Sequence, residues 1–207
     1  MANRFADIAF TPSVRAVQES MGSRRHYART HSEATNGPPL GEGELDFISR
    51  RDTFYMASVS ETDWPYVQHR GGPAGFLKAL SPSRLGFADY RGNRQYVSVG
   101  NVLKNDRVAI ILVDYPNQER LKIMGHARVV AAEETALLES LTTPNYAARV
   151  ERGIIIEVVA YDWNCPQHIT PRFTELEIET AIAPLKTRLA QLEAELKTCR
   201  ESQPRTR

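Results

Sequence analysis

A chain of 207 residues with 26 Lys and Arg against 25 Asp and Glu has a formal charge of +1, which argues against a nucleic-acid partner, since such proteins ordinarily hold a basic excess. Its 42% hydrophobic and 25% charged residues are ordinary for a soluble globular domain, and no window approaches the roughly 20 apolar residues of a membrane helix. Cys165 and Cys199 are too few and too far apart for a metal cluster; with no apolar leader segment in residues 1–10, the expected location is the cytoplasm, with reduced thiols.

Taken in chain order, Thr11-Pro12 opens a first helix as a hydroxyl N-cap followed by proline, Val14, Val17 and Met21 share one face, and Gly22 ends it. The basic run Ser23 to Arg29 fits a solvated segment or one docked on a neighbouring subunit. Residues 30–43 read as a polar loop and 45–51 as a second short helix. Strands are then expected over residues 53–60, 66–70, 76–80, 85–90, 107–115, 120–130 and 153–161. Between them lie a short helix or turn at 102–106 and a helix at 133–141. The run 107–115 is the most apolar and is expected at the sheet centre, while Gly125 suggests a bulge or a barrel bend. Strands joined by short turns imply antiparallel pairing and a mainly β fold with flanking helices, as a small closed or split barrel. Three regions are expected: a helical segment 1–52, the barrel 53–173, and a helical tail 174–207.

In that tail Ile178, Ile182, Leu185, Leu189, Leu192 and Leu196 step by four and three, an a/d seam flanked by Lys186, Arg188, Glu193 and Glu195. Pro184 is expected to kink or restart the helix. The seam suits packing on the chain's own barrel or on a second subunit.

Three segments carry polar residues that packing does not require. The stretch from Leu85 to Asn101 runs from a strand through the turn Arg91-Gly92-Asn93 to Arg94, Gln95, Ser98 and Asn101. Fixed guanidiniums and hydroxyls after a glycine turn suit a phosphate, and suit equally a solvated hairpin. The second segment is Val67-Gln68-His69-Arg70, where Arg70 offers a bidentate anion contact and Gln68 both a donor and an acceptor. The third is Trp163 to Phe173, stiffened by Pro166 and Pro171 and bearing Gln167, His168 and Arg172. His69, His126 and His168 lack metal-ligand spacing, and Cys165 beside His168 lacks an orienting third group.

Tyr66 to Gly72, Leu85 to Asn101, Arg120 to Val129 and the closing Trp163 to Phe173 together resemble the pyridoxamine 5'-phosphate oxidase-related flavoproteins. The resemblance spans residues 54–173. It implies a split antiparallel β-barrel of FMN-binding type, forming a homodimer with FMN in a cleft between subunits. It implies that Val67, Gln68, His69 and Arg70 line the flavin. Arg94 and Gln95, with Ser98, would lie near the phosphate and ribityl chain, Asn93 and Asn101 are further cofactor-binding candidates, and Trp163, Gln167 and Arg172 would arrive from the partner subunit. Within that frame Arg70 and Arg94 are expected as phosphate ligands, Gln68 and Gln167 at the ring edge, and His168 as proton donor. Pyridoxamine phosphate oxidases themselves end on a compact Trp-Gly and Arg-x-Leu motif, whereas Trp163 here precedes Asn-Cys-Pro-Gln-His, so their substrate is not implied. The expected function is an FMN-dependent oxidoreductase on a small molecule; a non-catalytic flavin- or haem-binding carrier or sensor fits the same resemblance.

Overall fold

The computed structural model describes residues 4–33 and 39–202. Four helices precede the sheet: α1 (Arg4–Ala9), α2 (Pro12–Ser20), α3 (Arg24–Glu33) and α4 (Glu42–Ser49). Then come β1 (Thr53–Val59), β2 (Pro65–Gly71), β3 (Lys78–Ser81), β4 (Arg84–Tyr90), α5 (Val97–Lys104), β5 (Arg107–Asp114), β6 (Glu119–Val130), α6 (Thr135–Leu141), β7 (Val150–Asn164) and α7 (Glu175–Ser202). The seven strands form one antiparallel sheet in the order β2-β1-β5-β6-β7-β4-β3.

The sheet curls because its inward residues are large and apolar. Phe54 of β1 meets Phe87 of β4 edge-on at 5.2 Å and stacks on Phe76 at 5.4 Å, so the two ends of the strand order face each other across the interior. Met56, Ile110, Leu112, Leu121, Ile123 and Ile156 fill the rest of that core. No ladder joins β2 to β4; the gap is bridged by an ion pair between Arg70 and Asp89. The fold is therefore a split antiparallel barrel, mainly β, with flanking helices. A smaller cluster of Ala88, Val130, Leu141 and Ile155 seats α6 on the outside.

Local signals account for several details. The Thr11 hydroxyl accepts from Val14 N–H at 3.4 Å, capping α2 with Pro12 at its first position. The β6–β7 register shifts between Met124 and Gly125, where a Cβ at residue 125 would sit 2.5 Å from the Glu157 carbonyl oxygen; only glycine admits that bulge.

Other expectations are corrected. Residues 24–33 are helical, so the polar loop expected from residue 30 starts later; its residues 34–38 lie outside the described residues. The face of Val14, Val17 and Met21 on α2 is exposed, and the buried residue there is Gln18. An unexpected α1 buries Phe5 and Ala6, with the Lys122 ammonium 4.7 Å from the Phe5 ring. β5 is interior but not the middle strand. Alternate residues along it are buried, so its apolar run leaves Ala109, Ile111 and Val113 on the outer face. The helix expected at 102–106 begins earlier, at Val97, because left-handed Tyr96 (φ 55°) turns the chain into α5. β7 runs on to Asn164, which puts Trp163 on a strand instead of a loop. α7 continues through Pro184 without restarting.

Candidate functional site

The turn after β4 is built locally. Asn93 Oδ1 accepts from Gln95 N–H at 3.2 Å, an Asx-type turn, and Arg94 and Tyr96 both take left-handed backbone at φ 64° and 55°. Each such non-glycine residue costs on the order of 1–3 kcal/mol, and strain of this kind concentrates where a site needs a fixed geometry. The result is a concavity of about 220 Å³ between β2, β4 and the start of α5.

Arg70 and Arg94 line it beside Asp89 and Glu151, and Arg91 and Arg152 pair with those same carboxylates, so guanidiniums outnumber carboxylates around it. Arg70 from β2 pairs with buried Asp89, whose second oxygen lies 3.5 Å from Arg152 Nε on β7. Arg94 Nε donates to the Tyr96 hydroxyl at 3.3 Å, which donates to Glu151 at 3.4 Å; that hydroxyl holds the guanidinium pKa above its ordinary value. The Arg152 guanidinium lies 4.6 Å over the Tyr96 ring, and Arg91 approaches Glu151 at 3.5 Å. Four guanidiniums thus share two carboxylates, and the buried Nε of Arg70 has no hydrogen-bond partner. The N-terminus of α5 opens here with no side-chain cap, so its first N–H groups add donors. Ser98 donates to Gln68 Oε1 at 2.6 Å and pins that amide at the rim. Concentrated donors, excess positive charge and a helix N-terminus are chemistry for a phosphate or another anion.

The expected residues divide. Gln68, Arg70, Asn93, Arg94 and Ser98 line the concavity. Strand alternation turns Val67 and His69 away: Val67 is 60% exposed on the outer face beside Tyr55, and His69 packs edge-on against Tyr55 at 5.4 Å. Asn101 is buried and donates to Ser58 at 3.0 Å, tying α5 to β1 inside the barrel. Gln95 joins through its backbone only, in the Asn93 turn.

Trp163, Gln167, His168 and Arg172 lie elsewhere in the chain. Arg152 and Trp163 stand eleven residues apart on β7, roughly 35 Å at strand rise. The Trp163 indole N–H donates to Glu44 at 2.7 Å and its ring packs on Phe47 at 4.9 Å. Arg120 donates to the carbonyls of Cys165 and Gln167, Gln118 to that of Ile169, and Arg172 stacks 5.0 Å over Tyr115. The segment is thereby held on the β5–β6 turn of its own chain, with His168 exposed at φ 64°.

Sequence reasoning missed Asp89, Tyr96, Glu151 and Arg152. A carboxylate in the apolar strand Leu85 to Tyr90 was a readable signal for Asp89. Nothing local marked Arg152, which the β4–β7 register places opposite Asp89.

Residues 42–161, more than half of the chain, match the family model described as pyridoxamine 5'-phosphate oxidase. The chain belongs to the pyridoxamine 5'-phosphate oxidase family. Family membership covers α4 through most of β7, and so the whole concavity, but stops short of Trp163 to Arg172. Among solved structures, Group A Streptococcus HupZ is similar at 13% identity, covering 65% of this chain and 99% of that one with a TM-score of 0.49. A putative pyridoxamine 5'-phosphate oxidase from Lactobacillus delbrueckii shows 18% identity, 63% and 97% coverage, and a TM-score of 0.46. An FMN-binding protein from Syntrophomonas wolfei shows 8% identity, 71% and 97% coverage, and a TM-score of 0.44. No curated protein matches the chain. No helix among the described residues is long and apolar enough to cross a membrane.

Proposed function

We propose that this chain is an FMN-binding flavoprotein that works as a homodimer and moves electrons between a small molecule and the flavin. The observation that carries the reading is the cationic concavity beside the α5 N-terminus. Arg70, whose buried Nε lacks a partner, lines it with Arg94, and with the first N–H groups of α5 the two guanidiniums fit a phosphate. At about 220 Å³ the concavity takes a phosphate and part of a ribityl chain, but is smaller than the ~300–1,000 Å³ typical of a complete ligand site. The ring therefore needs a second wall. A partner subunit supplies one in this reading, bringing Trp163, Gln167 and Arg172 to the flavin. The outer face of β2, β1, β5 and β6, with Tyr55, Val67, Ala109, Ile111 and Met124 around a shallow groove, is the apolar surface available for that contact.

Bound FMN would supply the redox chemistry; the chain binds, orients and tunes it. Gln68, fixed by Ser98, and Gln167 present amides to the ring edge. Absorption spectroscopy of the purified protein, with mass spectrometry of what heat releases, tests the cofactor. Paired flavin bands and released FMN are expected. A colourless protein that refuses added FMN sinks the reading, and a single sharp haem band moves it to a carrier. Arg94→Ala is expected to weaken FMN about tenfold to a hundredfold, as one lost charge-assisted hydrogen bond costs about 1.5–3 kcal/mol.

His168 is proposed as proton donor to the reacting centre, since imidazole is the side chain best suited to exchange protons near neutral pH. His168→Ala is expected to slow turnover by about 10²-fold or more without loss of FMN, the scale of a missing general acid. Unchanged reoxidation and turnover would remove that role.

A further inference from the structure

The longest helix of the chain has an apolar seam of which, at the described residues, the chain itself partly covers only Ile182. α7 spans 28 residues, about 42 Å at helical rise. Ile178, Leu185, Leu189, Leu192 and Leu196 remain 49%, 70%, 58%, 45% and 51% exposed along it. Ile182, Leu189 and Leu196 occupy a positions and Leu185, Leu192 and Cys199 occupy d positions, so the stripe is the narrow 3.5-residue seam of a coiled coil and not the wider face of a helix packed on a globular core. Helices of this kind gain most of their stability from packing such a face.

The flanks say what covers it. Lys186 and Glu193 fall at e, Arg188 and Glu195 at g. If two copies run parallel and in register, Arg188 meets Glu193 of the other copy. If they run antiparallel about Leu189 and Leu192, Lys186 meets Glu193 and Arg188 meets Glu195. Either way cation faces anion twice over by symmetry, and the chain complements itself. A lipid surface would favour a predominantly basic flank, which this mixed-sign one is not. Within one chain Arg188 already reaches along the flank to Glu195 at 3.7 Å, so these side chains span the seam edge.

We infer that α7 pairs with α7 of a second copy of this chain as a two-stranded coiled coil, an interface separate from the barrel and its cationic concavity. The occupied seam buries Leu185, Leu189, Leu192 and Leu196 and holds Cys199 in its last layer.

Cysteine crosslinking of the full-length protein tests this in both directions. With Cys165→Ser, Cys199 is the remaining thiol; copper-phenanthroline with dioxygen as electron acceptor links two such thiols if they share a layer. A parallel pair places Cys199 against its counterpart. An antiparallel pair places it against residue 182, so Cys165→Ser combined with Ile182→Cys reports that arrangement. A covalent dimer on a denaturing gel is expected from both proteins if the pair is parallel and from the Ile182→Cys protein alone if it is antiparallel, and Leu189→Glu is expected to cut its yield at least tenfold while leaving the barrel's melting transition unchanged. No covalent dimer from either protein, or a yield indifferent to Leu189→Glu, would overturn the pairing. Because the readout is proximity in α7, it is independent of whether FMN binds.

Discussion

Asp89→Ala is expected to lower the melting temperature by roughly 10 °C and at the same time to make the protein more responsive to inorganic phosphate. Asp89 is 6% exposed, and it is the carboxylate shared by Arg70 of β2 and Arg152 of β7, whose side chains are only 12% and 23% exposed. Removing one member of a buried ionic cluster leaves its partners charged and desolvated, a cost of about 3–5 kcal/mol. A domain of this length loses about 2–4 °C per kcal/mol. The loss has a structural address, since the Arg70–Asp89 contact closes the gap where no backbone ladder joins β2 to β4. Of the two stranded guanidiniums, Arg70 lines the same concavity as Arg94 and Ser98 and Arg152 stands beside it at Asp89, so an anion entering the concavity replaces the missing charge. Melting in phosphate against chloride at matched ionic strength should therefore show a larger stabilisation by phosphate in Asp89→Ala than in the parent protein. Equal responses would mean that Arg70 and Arg152 do not face an anion site. Asp89→Asn, nearly the same in shape, separates loss of charge from loss of packing.

Asp114→Asn should destabilise the protein by a comparable amount through a different device, and its effect should fade in acid. Asp114 is 2% exposed at the end of β5 and lies 2.7 Å from Arg51 Nη2, while the Asn117 backbone and side-chain N–H groups each donate to it at 3.1 Å. Burial pushes its pKa up, but the Asn117 hydrogen bonds and the Arg51 charge together outweigh burial and hold it below the usual carboxylate value. Arg51 otherwise has a long 3.5 Å donation to the Val113 carbonyl and the Phe47 ring 4.8 Å away, and its buried Nε has no partner. A depressed folded-state pKa contributes stability that is present above the unfolded value of ~3.9 and is lost as pH falls through the folded one. Urea unfolding at neutral pH should therefore show a gap of about 3 kcal/mol between parent and Asp114→Asn, and the gap should close below about pH 4. A gap that stays constant into acid would mean that the Asp114 charge is not what stabilises this corner. Phosphate should rescue neither protein selectively, because neither Asp114 nor Arg51 lines the concavity.

The two carboxylates mark the boundary of what was readable in the chain. Short-range chemistry was legible: the Thr11 cap with Pro12, the seven strand cores, the Gly125 bulge, the Arg91-Gly92-Asn93 turn with Arg94 beyond it, and the heptad seam of α7. Each depends on interactions within a few residues, or on a repeat that the backbone period converts directly into a face. The split barrel and the family were legible for the same reason, because the order of those pieces is what the resemblance rests on.

Only the tertiary structure decided which polar residues meet. Strand alternation separated Gln68 and Arg70 from Val67 and His69 within one tetrapeptide that had been read as a unit. The β4–β7 register brought Arg152 to Asp89 across more than sixty positions of sequence, and the same long strand carried Trp163 to the opposite end of the barrel. β5, the most apolar run, is an interior strand with one outward face, because hydrophobicity marks a residue for burial without saying what will bury it. The same holds for α7: its period showed that a partner surface is required, and the folded chain left that seam exposed. Side-chain identity sets local geometry, but a site assembled from separate strands depends on register and curvature, which are properties of the whole sheet.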